Sequence, residues 1–154
     1  MMQVNPKPSK VETVHLDDQV KVGVPYYSME QLPDGFCARY ARLCAGVIFG
    51  EDFPVADAWK MREQSRVIAR QADNAQFIHL VEKGLIKPGN LLGVYCPGSR
   101  LNSEDREYTH MSIYLGKQNG KPVILEQISN EIRVMSVQEY QMDELAIREV
   151  IGLR

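Results

Sequence analysis

The chain has 154 residues, 44% hydrophobic and 25% charged, which suits one ordinary globular domain with a sizeable core and excludes long disorder. Its formal net charge of −2 is spread over interleaved acidic and basic residues, which disfavours a nucleic-acid surface. The opening MMQVNPKPSK has no apolar signal-type core and no stretch approaches the roughly 18 apolar residues of a membrane span, so a soluble chain, cytoplasmic when synthesised, is expected.

Residues 1–10, with Pro6, Lys7 and Pro8, read as an extended arm, and VETVHL and QVKVGVPYY as short strands or extended segments. The domain layout expected is an extended N-terminal arm over 1–24 and one globular domain over 25–154. In LPDGFCARYARLCAGVIFG, Pro33, Asp34 and Gly35 signal a turn. Phe36, Tyr40, Leu43, Cys44 and Val47 then recur at helical spacing, which predicts a buried helix over about 36–48 ended by Gly50. A second helix is expected after Asp52 and Pro54 through VADAWKMREQSRVIARQ, and a third in NAQFIHLVEKG, closed by Gly84.

From Ile86 the period changes. LLGVYC, THMSIYL, PVILEQI, EIRVM and ELAIREVIGL read as strands, the second and third joined by the GKQNGK hairpin turn. Ser136 and Glu139 have capping-box spacing for one helical turn in SVQEYQ, and PGSRLNSEDREY reads as a polar loop of the kind that walls a site. Helices followed by an antiparallel sheet make an α+β fold.

Cys37 follows the turn at the first or second helical position. There unsatisfied amides and the helix dipole favour a thiolate, the form that acts as nucleophile. His110 opens a strand that alternates Met111, Ile113 and Leu115 against His110, Ser112 and Tyr114. If the Cys37 helix is its neighbour, the imidazole can take the thiol proton and later donate it to a leaving amine, with Ser112 small enough to admit the helix. A third group to orient the imidazole comes from Glu126 or Gln127. A plain two-residue Asn119-Gly120 turn puts Gln127 on the His110 face, whereas a bulge puts Glu126 there.

These residues resemble the CHAP and NlpC-type papain-like amidases. C-A-R-Y-A is similar to the C-x-x-Y-A helix start of CHAP domains, KPGNLLGVY to the K-P-G-D-x-x-x-F/Y strand, and HMSIYLG to H-x-G-I-Y-x-G; LEQI keeps the Glu-Gln of an E-Q-N but has Ile128 for Asn. The resemblance spans roughly residues 25–135. It implies a papain-like fold with N-terminal helices packed on a C-terminal antiparallel sheet, and a cysteine peptidase or amidase with Cys37 as nucleophile, His110 as base and Glu126 as orienting acid, Gln127 standing in reserve. Tyr27 is a substrate or oxyanion contact on the same ground. The substrate implied is a peptidoglycan peptide amide, in a wall hydrolase delivered by a phage particle, holin or dedicated secretion system. The alternatives are an intracellular protease, deamidase or acyltransferase, and an inactive papain-like module of a virion.

Three cysteines, Cys37, Cys44 and Cys96, lack zinc-type spacing, and His15 and His79 have no carboxylate or cysteine at ligand spacing. Neither a metal nor another cofactor is expected, and the chain is expected to be a monomer. Cys44 and the Trp59/Met61 pair are expected to fill core. Cys96 or Cys44 is a conceivable oxidation partner for Cys37. Glycines near 84, 89 and 93 do not form a phosphate loop.

Overall fold

The computed structural model describes residues 6–28, 30–32, 37–70, 72–128 and 131–153. Among the described residues eight strands and three α-helices occur in the order β1 (Lys10–His15), β2 (Lys21–Tyr26), α1 (Cys37–Phe49), β3 (Arg66–Arg70), α2 (Asn74–Glu82), β4 (Leu91–Tyr95), β5 (His110–Gln118), β6 (Lys121–Ile128), β7 (Glu131–Ser136), α3 (Val137–Met142) and β8 (Ala146–Gly152). Strands β1 and β2 form an antiparallel hairpin, and the other six form one antiparallel sheet in the order β3-β8-β4-β5-β6-β7. The architecture is mixed α and β, with helices on both faces of this sheet.

Period-two alternation sorts the central strand's side chains between two cores. Met111, Ile113 and Leu115 join Val123 and Leu125 beneath Tyr40, Ala41 and Cys44 of α1. Tyr114 and Ile124 face the other way, against Phe77 and Val81 of α2 and Val137 and Tyr140 of α3. With both faces covered, His110 to Gly116 are all buried.

Several expected boundaries shift. The second expected helix is instead a 3-10 segment, Ala58–Gln64, followed by β3. Ser65 is extended, and Val67 and Ile68 are β-branched residues that an edge strand accommodates better than a helix interior. The first half of the chain is therefore less helical than its sequence pattern suggests. Strand β2 crosses the expected boundary at 24/25, and Val24 lies in the core, so the hairpin packs as part of the domain. Val47 is 56% exposed rather than buried. The expected turn at Pro33 to Gly35, and Phe36, lie outside the described residues. The capping box forms as expected: Ser136 Oγ accepts from the Glu139 N–H at 3.1 Å, and Glu139 Oε1 accepts from the Ser136 N–H at 3.0 Å.

The β5–β6 hairpin decides which side chains meet at the site. Asn119 and Gly120 both have positive φ, 54° and 75°, as a tight two-residue turn requires. Pairing starts at Gln118↔Lys121 and runs to Gly116↔Val123, then resumes at Tyr114↔Ile124. One residue is thus inserted in β5. Gly116, at φ 135°, takes a backbone conformation that residues with a Cβ rarely adopt. Beyond this bulge the register has moved by one, which turns Glu126 to the His110 face and Gln127 to the α1 face, where its Nε2 donates to the Leu32 carbonyl at 3.0 Å.

Candidate active site

Cys37 is the first residue of α1, His110 the first of β5, and Glu126 sits near the end of β6. Among the described residues the β5–β6 ladder stops at Ile113↔Leu125, while β6 stays paired with β7 through Ile128↔Glu131 and β5 with β4 through Val94↔His110. The two central strands part at this end of the sheet, and the start of α1 meets them there. The N–H groups of Met111 and Ala38 are both directed to the Cys37 sulfur.

The Cys37 thiol and the His110 imidazole lie close enough to set each other's protonation, and the Thr109 carbonyl lies 4.0 Å from Sγ. His110 Nε2 lies 2.8 Å from Glu126 Oε1. This engages the ring's far nitrogen with the acid and leaves Nδ1 for the thiol. His110 is 5% exposed and Glu126 is fully buried.

Each charge is set by burial working against its partners. Burial raises the proton affinity of Cys37, but the hydrogen bond and positive charge of His110, with the Met111 and Ala38 amides, outweigh it and hold the thiol below its ordinary range. Burial lowers that of His110, but the hydrogen bonds and negative charges of Cys37 and Glu126 carry the imidazole up to about 9. Burial raises that of Glu126, and His110, Tyr140 and Arg133 together bring it below the usual carboxylate range. The three groups together favour a thiolate–imidazolium pair beside an ionised carboxylate.

Two residues that the sequence reading passed over complete the cluster. Arg133, the direct cross-strand partner of Glu126, gives Glu126 Oε2 two donors, Nε at 3.1 Å and Nη2. Tyr140, buried on α3, donates its hydroxyl to Glu126 Oε1 and lies 3.0 Å from Ser112 Oγ. The signal for Arg133 was in the hairpin: Ile128↔Glu131 pairing puts positions 126 and 133 opposite one another. Ser112, expected to make room for the helix, instead faces Tyr140, because α1 packs on the Met111 face. The helix reaches His110 with its first residue, at the sheet's end.

Tyr27 packs edge-on against Tyr40, ring centroids 6.1 Å apart; no hydrogen bond among the described residues joins it to Cys37, His110 or Glu126. Cys44 is buried in the core, its thiol pushed up to about 12 by burial, while Cys96, half-buried, feels the charges of Glu126 and Cys37. His15 and His79 are exposed, and Met61 is core.

The polar loop between β4 and β5 is tied down by hydrogen bonds and by its charged and aromatic side chains. Thr109 Oγ1 donates to Asn102 Oδ1 at 3.0 Å, and Asn102 Nδ2 donates to the Cys96 carbonyl at 3.0 Å. The Arg106 guanidinium lies 3.9 Å from the Trp59 ring centroid. Tyr108 donates to fully buried Glu149, whose oxygens lie 3.3 Å from Arg62 Nε and 3.3 Å from Arg70 Nε. A Cβ on Gly93 would come within 2.5 Å of the Tyr108 ring, so only glycine lets Tyr108 cross β4 to that acid.

Among the described residues no three or more His, Cys, Asp or Glu side chains gather to hold a metal ion, and no helix is long and apolar enough to cross a membrane. No family model matches the chain, and no curated protein or solved structure is significantly similar to it.

Proposed function

We propose that this protein is a papain-like cysteine amidase or endopeptidase in which Cys37 attacks a substrate amide. The observation that carries this reading is a single imidazole, His110, held between a thiol at a helix start and a buried carboxylate. That arrangement supplies a nucleophile, a proton carrier and a group that fixes the carrier's orientation.

In the reaction the Cys37 thiolate adds to the carbonyl carbon and the carbonyl oxygen takes the negative charge. The backbone amides at the start of α1 are proposed to stabilise that oxyanion. The His110 imidazolium gives its proton to the amide nitrogen, the C–N bond breaks, and the amine leaves a thioester on Cys37. His110, now neutral, takes a proton from water as the water attacks the thioester. The C–S bond breaks, a carboxylic acid product departs, and the thiolate and imidazolium are restored. Glu126 keeps the ring in plane throughout and stabilises its charged form.

The substrate class proposed is a peptide amide of peptidoglycan, on the likeness of C-A-R-Y-A, KPGNLLGVY, HMSIYLG and LEQ to CHAP and NlpC-type sequences. The test is iodoacetamide labelling of Cys37 across pH, read by mass spectrometry in the native chain and in His110→Ala, together with digestion of purified muropeptides. A Cys37 pKa well below the unperturbed ~8.5 that climbs in His110→Ala is expected, along with released amines. An ordinary, His110-independent value would exclude catalysis by this pair. Turnover of soluble peptides or acyl esters but not of muropeptides would retain the chemistry and replace the substrate.

A further inference from the structure

We infer that Arg133 is a positioning residue for the Cys37–His110 pair: its guanidinium fixes the plane of the Glu126 carboxylate and balances its charge, so that Cys37 can lose a proton inside a buried cluster. This rests on the reading of Cys37 as the nucleophile.

The geometry distinguishes the two oxygens of Glu126. Oε1 serves His110 and Tyr140, while Oε2 serves only Arg133, through two nitrogens of one planar fork. A bidentate contact sets the carboxylate's orientation as well as its charge. Glu126 is fully buried beneath these donors, and a buried carboxylate oxygen that loses its partner is costly. The hairpin register makes Arg133 its direct cross-strand partner, and Asp143 Oδ2 holds Nη1 from the other side at 3.2 Å. The titratable and charged groups around Glu126 are His110 from β5, Arg133 from β7, Tyr140 from α3 and Cys96 from the segment after β4, with Asp143 behind the arginine.

Charge counting gives the consequence. With Arg133 present, thiolate, imidazolium, carboxylate and guanidinium sum to zero. Without it, ionising Cys37 leaves the buried cluster one unit negative, so both Cys37 and His110 should hold their protons to higher pH. Loss of Glu126 acts differently: it removes the acid that stabilises the imidazolium, so His110 should release its proton at lower pH while Cys37 holds its own longer. The signature of Arg133 is therefore both groups moving upward together.

The experiment follows Cys37 labelling across pH and the His110 ring resonances by NMR titration in the native chain, Arg133→Met, Arg133→Lys and Asp143→Asn, with thermal melts to verify folding. Arg133→Met should raise the Cys37 midpoint by about one pH unit, roughly tenfold less thiolate and tenfold slower labelling below it, and raise the His110 midpoint with it. Arg133→Lys should return both midpoints toward native values. Asp143→Asn alters only a half-exposed partner of Arg133, frees more of its charge for Glu126, and should lower both midpoints by a few tenths of a unit. Native midpoints in folded Arg133→Met, an Arg133→Lys shift equal to that of Arg133→Met, or an upward shift in Asp143→Asn would each overturn the inference. If Arg133→Met fails to fold, the sign of the Asp143→Asn shift decides. A native Cys37 with an ordinary pKa would instead reject the nucleophile reading itself.

Discussion

Both oxygens of Glu126 act only as acceptors, from His110, Tyr140 and two nitrogens of Arg133. An amide in its place can accept at one end only, and its NH2 must face either the guanidinium or the imidazole and the tyrosine hydroxyl. Glu126→Gln is therefore not a mild change here. With the negative charge gone, the His110 imidazolium loses one of the two groups that carry it to about 9, and the thiolate loses part of its partner's charge. The range of pH over which the ion pair exists should narrow from both ends: the His110 NMR midpoint falls and the Cys37 labelling midpoint rises. An unchanged His110 midpoint in Glu126→Gln would show that the carboxylate does not govern the ring. Cys44, the other cysteine of α1, has no such partner set and a thiol pushed up to about 12, so its labelling should stay slow in every variant.

Glu126 reaches His110 because one extra residue enters β5, and this is the element on which the site depends most directly. Gly116 holds φ 135°, and a Cβ there would lie 3.1 Å from Leu16 Cδ1. Gly116→Ala should cost about 1–3 kcal/mol in urea unfolding, the range for a residue forced into sparsely populated backbone space, while leaving the register intact. Deleting Gly116 should do something else: an unbulged ladder one residue shorter still pairs Tyr114 with Ile124 and so sets Ser112 opposite Glu126, and the His110-dependent depression of Cys37 should persist in the labelling curve. A folded deletion variant that loses the depression would mean that the bulge itself, and not only the register beyond it, places the acid. The sequence already contained the helix start at Cys37, the strand alternation at His110, the Asn119-Gly120 turn and the Ser136/Glu139 capping box, because each is written in local propensity or spacing. It could not choose between Glu126 and Gln127, since a bulge is one residue of insertion whose position depends on what the strand packs against, here Leu16 beside Gly116. Arg133 and Tyr140 were missed for the same reason: they belong to the site only through cross-strand and helix-to-sheet contacts. In the segment around 54–70 the alternation of charged and apolar residues fits either element, and the structure divides it into a 3-10 stretch over Ala58–Gln64 and a strand over Arg66–Arg70 held by β8.

At the scale of the whole molecule, a six-stranded sheet lies between α1 on one face and α2 and α3 on the other, and the site occupies the end where β5 and β6 separate. Side chains from α1, β5, β6, β7 and α3 converge there, so the buried ionic cluster ties both cores together and its protonation is coupled to folding. The linkage has a definite sign. Glu126 in the folded chain lies below its ordinary value, so as pH falls through ~4.5 the unfolded chain binds the proton first. The stabilisation is therefore present above that value and lost as pH drops through the depressed folded one. Cys37 and His110 oppose each other near neutrality: the folded chain has given up the thiol proton and kept the imidazole proton, whereas the unfolded chain does the reverse between about 6.5 and 8.5. Bound protons are then equal in the two states, and this pair adds no slope to stability in that interval. The acid side should carry the slope, about 1.4 kcal/mol for each unit of Glu126 depression. Urea unfolding of the native chain and Glu126→Gln at pH 6 and pH 4 should show the stability gap between them narrowing as pH falls. A gap of constant size would mean that the free energy of Glu126 resides in shape and packing rather than in its charge.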